Sequence, residues 1–201
     1  MFIDPRSAAT RPAALAVAWG TYFRRHPGWT LPLVGAIGLA ILTWKLRSPL
    51  AGGLALAGVG IFFFHVVYVR MRSAGGMLCP ARTISERPFL VAVLTDLAAT
   101  DSSSHPVLKV FAPPAALACA VGTPLAAVVL YSGQTPAGHW DDCQPTLALS
   151  ANDDRAVQQG LLERISSEEW ERLAQACQQL ILPPRCGLFQ LKRARARDLS
   201  L

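Results

Sequence analysis

The sequence predicts an N-terminal transmembrane α-hairpin followed by a mainly-β, small barrel-like domain with an inserted helical pair, α+β overall. Three observations lead to this prediction: two long apolar runs near the N-terminus, short strand-like segments after residue 77, and a helical pair that interrupts those segments. The 201-residue chain is 52% hydrophobic and only 16% charged, with a mean hydropathy of +0.32. Because soluble domains average about 25% charged residues, this composition indicates a membrane protein.

Two apolar runs are long enough to be membrane spans. Residues 50–69 carry no formal charge, and their twenty residues are enough to cross a hydrocarbon core of about 30 Å at about 1.5 Å per residue. Residues 31–44 form a shorter run, which residues 28–30 extend. Only residues 45–49 join the runs, and backbone polar groups in lipid must be satisfied within each segment, so an antiparallel helical hairpin is predicted.

Two other interpretations of the apolar runs are disfavoured. A secretory signal peptide is disfavoured because the first run starts about thirty residues from the N-terminus and no small-residue cleavage motif follows it. A buried hairpin of a soluble protein is disfavoured because both runs are apolar on every face.

Positive charge is concentrated at the N-terminal end. Residues 1–77 contain eight basic and one acidic side chain (net +7), whereas residues 78–201 contain eleven basic and twelve acidic (net −1). The overall charge therefore gives no support for nucleic-acid binding, and we expect no nucleic-acid partner.

The distribution of basic residues also predicts an orientation. The hairpin turn holds Lys45 and Arg47. The basic residues on the other side of the spans are Arg6, Arg11, Arg24, Arg25, Arg70, Arg72 and Arg82. The excess of positive charge on that side predicts an inner (cytoplasmic) membrane protein with two spans, in which both termini and the soluble domain are cytoplasmic.

Small residues on the spans have the spacing of helix-packing motifs. Gly35, Gly38, Gly53 and Ala57 are candidates for docking another membrane subunit, because small side chains let helices approach closely. The alternative, which we favour from sequence, is that such residues only pack the hairpin on itself.

One ionisable residue, His65, lies inside the second span. An intramembrane histidine is a functional candidate, and it could ligate a haem or another porphyrin-type pigment. The simpler interpretation is a neutral histidine near the headgroups, since His65 lies about one turn from Arg70.

The predicted division of the chain has four parts. They are an N-terminal cytoplasmic or interfacial segment (1–28), the two-helix transmembrane hairpin (29–70), a cytoplasmic β-rich domain (77–192) with helices at about 153–181, and a basic tail (193–201). Within the first part, residues 13–23 are apolar but too short to span, so they are expected to lie along the interface. In the tail, Arg193, Arg195 and Arg197 are candidates for contact with anionic lipid or a partner, the alternative being a solvated terminus.

The β-rich domain is predicted from short segments of β-branched and aliphatic residues bounded by Pro, Gly and Asn. The segments are 89–97, 107–111, 123–131, 144–150 and 187–191, with a weaker one at 77–84. This pattern is typical of a small barrel or sandwich. Asp153 and Asp154 signal a helix start, and Ser166 with Glu169 forms a capping box, so a helical pair precedes the last strand.

Several stretches of the soluble part resemble an uncharacterised bacterial family of membrane proteins, the domain of unknown function DUF thirty-two thirty-nine. The matching stretches are Cys79-Pro80, residues 86–97, residues 106–110, Val121-Gly122, Tyr131, residues 139–142 and residues 168–170. The resemblance covers about residues 78–192. It implies a β-barrel-like domain behind an N-terminal membrane anchor, and it implies no activity and no catalytic residue.

The densest polar set is His139, Asp141, Asp142 and Cys143. All four side chains are possible metal ligands, yet four ligands within five residues cannot all face one ion. A strand-entry loop is the simpler interpretation, with Asp capping backbone amides and Trp140 packing. Cys143 with His139 could also act as a thiol nucleophile and its base, but no glycine-rich oxyanion hole lies nearby.

Other polar residues fit structural roles. The five cysteines (79, 119, 143, 177 and 186) are irregularly spaced and expected to be reduced, although Cys79 and Cys186 could be neighbours. Asp96 is expected to end its strand and to bind loop amides.

No motif of a common enzyme class is present. We therefore expect no enzyme and no cofactor, but a membrane-anchored interaction or scaffold module, an accessory subunit of a larger membrane complex whose partners are the lipid bilayer and other membrane subunits. One alternative is a small-ligand sensor or hydrolase that uses the barrel mouth near His139 and Asp141. Another is a pigment- or haem-associated subunit that uses His65.

Overall fold

The architecture seen in a computed structural model is the one that the sequence predicts: two apolar N-terminal helices followed by a curled, six-stranded antiparallel half-barrel, α+β overall. The structure describes residues 12–46, 49–98, 104–113, 117, 119–135, 138–180 and 183–191. The sequence predictions for Arg6, Arg11 and Arg47, and for the tail residues Arg193, Arg195 and Arg197, lie outside the described residues.

Within the described residues, the N-terminal part has four helical elements. They are α1 (Trp19–Arg25), a 3₁₀ helix (Pro27–Thr30), α2 (Leu31–Leu46) and α3 (Pro49–Gly75). Two stretches, Pro27–Lys45 with 19 residues and Pro49–Gly75 with 27, are long and apolar enough to cross a bilayer, by length and composition. At 1.5 Å per residue α3 is about 40 Å long, which exceeds a hydrocarbon core of about 30 Å. α3 is therefore about two turns longer than such a core is thick.

The two long helices pack through small side chains. Ala36 of α2 and Ala55 of α3 are buried in the hairpin seam. A Cβ atom on Gly58 would lie 3.0 Å from the carbonyl oxygen of Pro32 and 3.1 Å from Cβ of Ala36. This close approach is what small residues permit at a helix interface, and most large side chains of α2 and α3 point outward and are exposed.

The sheet follows α3 after a single residue, Gly76. Its strands are β1 (Met77–Glu86), β2 (Phe89–Asp96), β3 (Pro106–Phe111), β4 (Pro124–Gln134), β5 (Trp140–Leu147) and β6 (Gly187–Gln190). Their order is β5-β4-β1-β2-β3-β6, and every neighbouring pair is antiparallel. The weakest sequence prediction, the strand after Met77, is thus the central strand β1, with partners on both sides.

The sheet curls until β3 and the start of β5 approach each other. Ala98 and His139 form an isolated antiparallel bridge, and the backbone N–H of Trp140 donates to the Leu97 carbonyl over 2.8 Å. The concave side encloses one apolar core. Its buried members include Ala81, Val91, Val93, Val107, Ala127, Val129, Trp140 and Leu147. The Ala98–His139 contact joins the two sides of the half-barrel at one point, while β5 and β6 remain the edge strands of the sheet.

Two groups of elements lie side by side on the convex face of the sheet. Residues 12–18, α1 and α5 (Arg155–Glu163) pack over β1 and β4, while α6 (Ser167–Gln178) packs over β2 and β3. Because both faces are covered, β2 is buried along nearly its whole length. This explains why its sequence is continuously apolar rather than alternating.

The helical pair is confirmed together with its caps. The Asp154 carboxylate accepts from the backbone N–H groups of Ala156 and Val157, which fixes the start of α5. Ser166 and Glu169 form the predicted capping box at the start of α6. Both devices satisfy N–H groups that the first helical turn leaves without partners.

The boundaries of β5 differ from the sequence prediction of a strand over residues 144–150. The strand begins at Trp140, so the supposed strand-entry loop is itself strand, paired with β4 from Tyr131 to Gln134. It ends at Leu147, and Ala148–Ala151 forms a short helix, α4. The prediction was wrong because pairing with β4 decides which residues are extended, and this pairing leaves no local signal.

The N-terminal apolar stretch is part of the β domain. The backbone N–H groups of Ala13 and Leu15 donate to the carbonyls of Gly76 and Ser73, at 2.8 and 3.0 Å. Ala13, Leu15 and Tyr22 are buried against α3, α5 and the sheet. Sequence reasoning placed this stretch along the interface and did not foresee this packing.

Candidate functional site

The three candidate metal ligands, His139, Asp141 and Asp142, point to different partners. The carboxylate of Asp142 accepts from Lys109 Nζ at 2.7 Å, whereas the carboxylate of Asp141 lies over Gly133 on the neighbouring strand. The His139 ring stacks on the His105 ring, with centroids 4.7 Å apart and planes 10° apart. Among the described residues, no group of three or more His, Cys, Asp or Glu side chains could hold a metal ion.

Cys143 lies in the barrel interior and has the properties of a core thiol. Burial, reinforced by the nearby Asp142 and opposed by Lys109, raises the pKa of the Cys143 thiol to about 12. A thiol with such a pKa is protonated at neutral pH, and the thiolate is the reactive form. The protonated state of Cys143 therefore does not favour the alternative in which this thiol is a nucleophile and His139 is its base.

A second polar group in the interior surrounds Tyr131. Its hydroxyl lies 2.6 Å from the Thr95 hydroxyl and 2.9 Å from the Met77 sulfur, and the Cys79 thiol donates to Thr95 at 3.4 Å. Burial raises the pKa of Tyr131 far above its usual range. These groups satisfy one another, which is the expected state of polar atoms in a packed core.

Asp96 ends β2 and binds the loop that follows, as predicted. One carboxylate oxygen accepts from the backbone N–H groups of Ala98 and His105, at 2.9 and 2.6 Å. The other accepts from the Ser104 hydroxyl at 2.6 Å. The carboxylate thus fixes the turn between β2 and β3.

The five cysteines, all within the described residues, form no disulfide. Cys79 is buried on β1, and Cys186 is exposed just before β6. Two strands, β2 and β3, lie between β1 and β6. Cys79 and Cys186 are therefore not neighbours, and the suggestion that they could be is wrong. The order of strands in a sheet cannot be read from the sequence.

The small residues of the hairpin separate into two sets. A Cβ atom added at Gly35, Gly38 or Gly53 would meet nothing within 4 Å, and Ala57 is exposed. At about 100° per residue, Gly53 and Ala57 lie on the side of α3 opposite the seam residue Ala55. The seam uses other small residues, so the candidate docking residues are not needed to pack the hairpin on itself.

A cavity lined by aromatic and polar side chains lies where the hairpin meets the β domain. We call it the junction cavity; it has a volume of about 210 Å³. Its wall comes from α1, the 3₁₀ helix, the end of α3 and the strands β4 and β5. The lining residues are Leu15, Tyr22, His26, Trp29, His65, Tyr68, Val69, Arg72, Ser73, Val128, Thr146, Leu147 and Ala151.

His65 is held by aromatic neighbours at this cavity. Its Nε2 lies 3.0 Å from the Tyr22 hydroxyl, and the Trp29 ring stacks on the imidazole with centroids 3.6 Å apart. Burial raises the pKa of Tyr22, which keeps its hydroxyl protonated. A haem or pigment on His65 would have to displace Tyr22 from Nε2 or use Nδ1, so this arrangement does not favour the pigment alternative.

The cavity wall also contains one half-buried guanidinium. Arg72 donates from one terminal nitrogen to the Gln144 carbonyl at 2.7 Å, while its Nε is buried without a partner among the described residues. The Nε2 of His26 is likewise buried and unpartnered. Burial and the adjacent Arg25 lower the pKa of His26, so its ring is neutral at pH 7.

Among these residues, only His65 was predicted from sequence as a candidate site residue. One signal was available: His65, Val69 and Arg72 are spaced i, i+4, i+7, so they share one face of a helix. The contributions of Tyr22, His26 and Trp29 had no such signal. They depend on the path of the N-terminal segment back over the end of α3.

No family model matches the chain, and no curated protein matches it. The resemblance to DUF thirty-two thirty-nine is therefore not confirmed. The crystal structure of a "putative membrane protein" from Corynebacterium diphtheriae superposes on this chain with a TM-score of 0.48 and 22% sequence identity. The superposition covers 57% of this chain and 99% of that one.

Proposed function

We infer that this protein is a membrane-anchored, non-enzymatic interaction module that serves as an accessory subunit of a larger membrane complex. In this proposal the hairpin crosses the inner membrane twice, with both termini and the half-barrel in the cytoplasm. The observation on which it chiefly rests is the direct attachment of the β domain to the hairpin: α3 ends at Gly75 and β1 begins at Met77.

Further contacts stiffen this attachment. The N-terminal segment bonds to the last turn of α3, and Arg164 of the α5–α6 connection donates to the Pro12 and Ala13 carbonyls at 2.6 and 2.7 Å. Arg72, still on α3, donates to the carbonyl of Gln144 on β5. A flexible linker would let a domain search for soluble targets, whereas this attachment holds the half-barrel at one distance and angle from the hairpin. Such a geometry suits a scaffold.

The outer face of α3 supports docking of a partner helix. Gly53 and Ala57 are four residues apart, opposite the seam, and no described side chain covers them. Small residues at this spacing allow a second helix to approach closely. The non-enzymatic part of the proposal is supported by two candidate residues of β5: Asp142 pairs with Lys109, and Cys143 is buried in the apolar core.

Membrane anchoring is tested by washing membranes that contain the full chain with alkaline carbonate. We expect the chain to stay in the pellet, and its release into the supernatant would overturn the proposal.

Docking is tested by purifying the tagged full chain in mild detergent and identifying the co-purifying membrane subunits. The variant Gly53→Leu/Ala57→Leu should reduce the stoichiometric subunit at least fivefold. Val59→Leu, which enlarges an exposed side chain at least about 120° around the helix from Gly53 and Ala57, is the matched control and should retain the subunit. A wild-type chain that purifies alone, or equal recovery with both variants, would contradict the accessory-subunit role.

A further inference from the structure

The lining of the junction cavity contains a positive charge without a carboxylate to pair with it. Arg72 is its one permanently cationic lining residue, and no Asp or Glu lines the cavity within the described part of the chain. The ion pairs of the described residues involve Arg24, Arg25, Lys109 and Arg172, and not Arg72. A half-buried guanidinium without a carboxylate is costly, since removal from water is compensated only by an opposite charge or by several acceptors.

The polar side chains that line the junction cavity can donate hydrogen bonds to an anion. Arg72 has five N–H donors, and the structure gives a protein acceptor to one of its nitrogens, the one that bonds Gln144. Tyr68 and Ser73 add hydroxyls, and neutral His26 carries one ring N–H that an acceptor can use. A phosphate group offers several acceptor oxygens and pairs with a guanidinium fork, which makes these bonds short and strong.

The position of the cavity indicates where such a phosphate would come from. Trp29 and Tyr68 line it, and amphipathic rings of this kind favour the headgroup level of a bilayer. Trp29 keeps 43% of its surface exposed, so it lies at the rim. The volume of about 210 Å³ is several times the ~30 Å³ that one water molecule occupies. It therefore has room for a phosphate and part of the group that carries it.

We propose that the junction cavity is a binding site for a phosphate group, carried by a phospholipid headgroup or free in solution, with Arg72 as its principal ligand. Bound there, the phosphate neutralises the guanidinium and joins α1, α3 and β5 at the point where the hairpin meets the half-barrel. The lipid source rests on the proposed membrane anchoring, whereas phosphate binding itself does not.

The test uses the full-length protein in dodecyl maltoside and three probes in calorimetric titrations. The probes are dihexanoyl phosphatidylglycerol, dihexanoylglycerol, which has the same chains without phosphate, and sodium phosphate. Arg72→Gln removes the proposed ligand, and Arg70→Gln removes the same charge from an exposed position two residues away. We expect Arg72→Gln to weaken phosphatidylglycerol binding at least tenfold, Arg70→Gln to keep the wild-type affinity, and dihexanoylglycerol binding to be equal in all three proteins.

The outcomes separate the two sources and the alternatives. Binding of phosphatidylglycerol without binding of sodium phosphate assigns the site to a lipid headgroup, and binding of sodium phosphate with equal affinity assigns it to free phosphate. Equal affinities of Arg72→Gln and Arg70→Gln, or a wild-type chain that binds neither phosphate probe, overturn the proposal.

A second variant decides the matter if Arg72→Gln does not fold, as judged by thermal unfolding in the same detergent. His26→Phe keeps a ring that stacks near Tyr22 and should weaken binding at least threefold. Unchanged affinity in His26→Phe would then overturn the proposal. Release by alkaline carbonate would overturn membrane anchoring but leave phosphate binding measurable, so the two proposals fail separately.

Discussion

Lys109 Nζ and Asp142 Oδ1 lie 2.7 Å apart, although β3 and β5, which carry them, are separated by three strands in the sheet. The ion pair spans the gap where the curled sheet comes back on itself. Lys109 keeps 19% of its side-chain surface exposed and Asp142 keeps 48%. The pair therefore marks the line along which the half-barrel closes, next to the Ala98–His139 bridge.

Removing this pair should destabilise the protein modestly. In a double-mutant cycle of Lys109→Met and Asp142→Asn, we expect a coupling energy of about 0.5–1 kcal/mol, because solvent screens partly exposed pairs. The measurement is urea unfolding of the full chain in detergent. The matched control is Glu168–Arg172 on α6, a pair in which both side chains are well exposed, for which about 0.3–0.5 kcal/mol is expected. Equal coupling in the two cycles would show that closure of the half-barrel does not depend on Lys109.

Gly133 should be harder to replace than Gly122. Its φ is +67°, and a Cβ there would lie 2.7 Å from Oδ2 of Asp141. Gly122 also has a positive φ, +87°, but a Cβ there would meet nothing within 4 Å. Gly122→Ala should therefore lower the free energy of unfolding by about 1–2 kcal/mol, which is the cost of holding a residue with a Cβ atom in a left-handed conformation.

For Gly133→Ala we expect the free energy of unfolding to fall further, by roughly 3 kcal/mol, because the steric clash with Asp141 adds to the cost of the left-handed backbone. Adding Asp141→Ala should recover part of that loss by removing the clashing carboxylate. Thermal unfolding of the wild type and of these three variants measures both effects. Equal losses for Gly122→Ala and Gly133→Ala would show that Asp141 moves aside at little cost.

The fold was predictable where the signal is local. The length of the two apolar runs predicts the hairpin. The Asp154 cap and the Ser166–Glu169 capping box predict the helical pair. Runs of β-branched and aliphatic residues predict the strands. The missing information is long-range. Cys79 and Cys186 lie apart because of the order of the strands in the sheet. β5 begins at Trp140, earlier than predicted, because its first residues pair with β4.

The candidate site was predictable only in part, for the same reason. His65 is conspicuous because it is an ionisable residue within an apolar run. Its neighbours Tyr22 and Trp29 meet it through chain segments about forty residues away in sequence. Nothing in the local pattern of residues 12–30 specifies that this segment packs against the end of α3.

The cysteines should differ widely in their reactivity. Cys186 is exposed and should be alkylated first by iodoacetamide at pH 8. Cys143, whose pKa is raised to about 12 by burial, should react last. Relative to a thiol of ordinary pKa, about 8.5, its thiolate fraction at pH 8 is lower on the order of a thousandfold. Peptide mass spectrometry over time follows each site, and full labelling of all five cysteines in denaturant is the control. Rapid labelling of Cys143 in the native protein would revive the nucleophile hypothesis.

The attachment of α1 to the β domain should weaken in acid. Asp153 accepts from the Thr21 hydroxyl at 2.7 Å and pairs with Arg24 and Arg25 of α1. The Thr21 hydrogen bond, helped by the two arginines, lowers the pKa of Asp153 in the folded protein. A carboxyl whose pKa is depressed by folding stabilises the native state at pH values above its unfolded pKa, about 3.9. That stabilisation is lost as the pH falls through the lower, folded value.

We therefore expect the melting temperature of the wild-type chain to fall more steeply between pH 5 and pH 3 than that of Asp153→Asn, which has no carboxyl to protonate there. Asp154→Asn is the matched control, because it keeps a helix cap and leaves the Thr21 and arginine contacts of Asp153 in place. It should follow the wild-type pH dependence. If Asp153→Asn and the wild type lose stability in parallel, the contacts of Asp153 do not fasten α1 to the β domain, and the packing of Tyr22 and Leu15 must hold the segment alone.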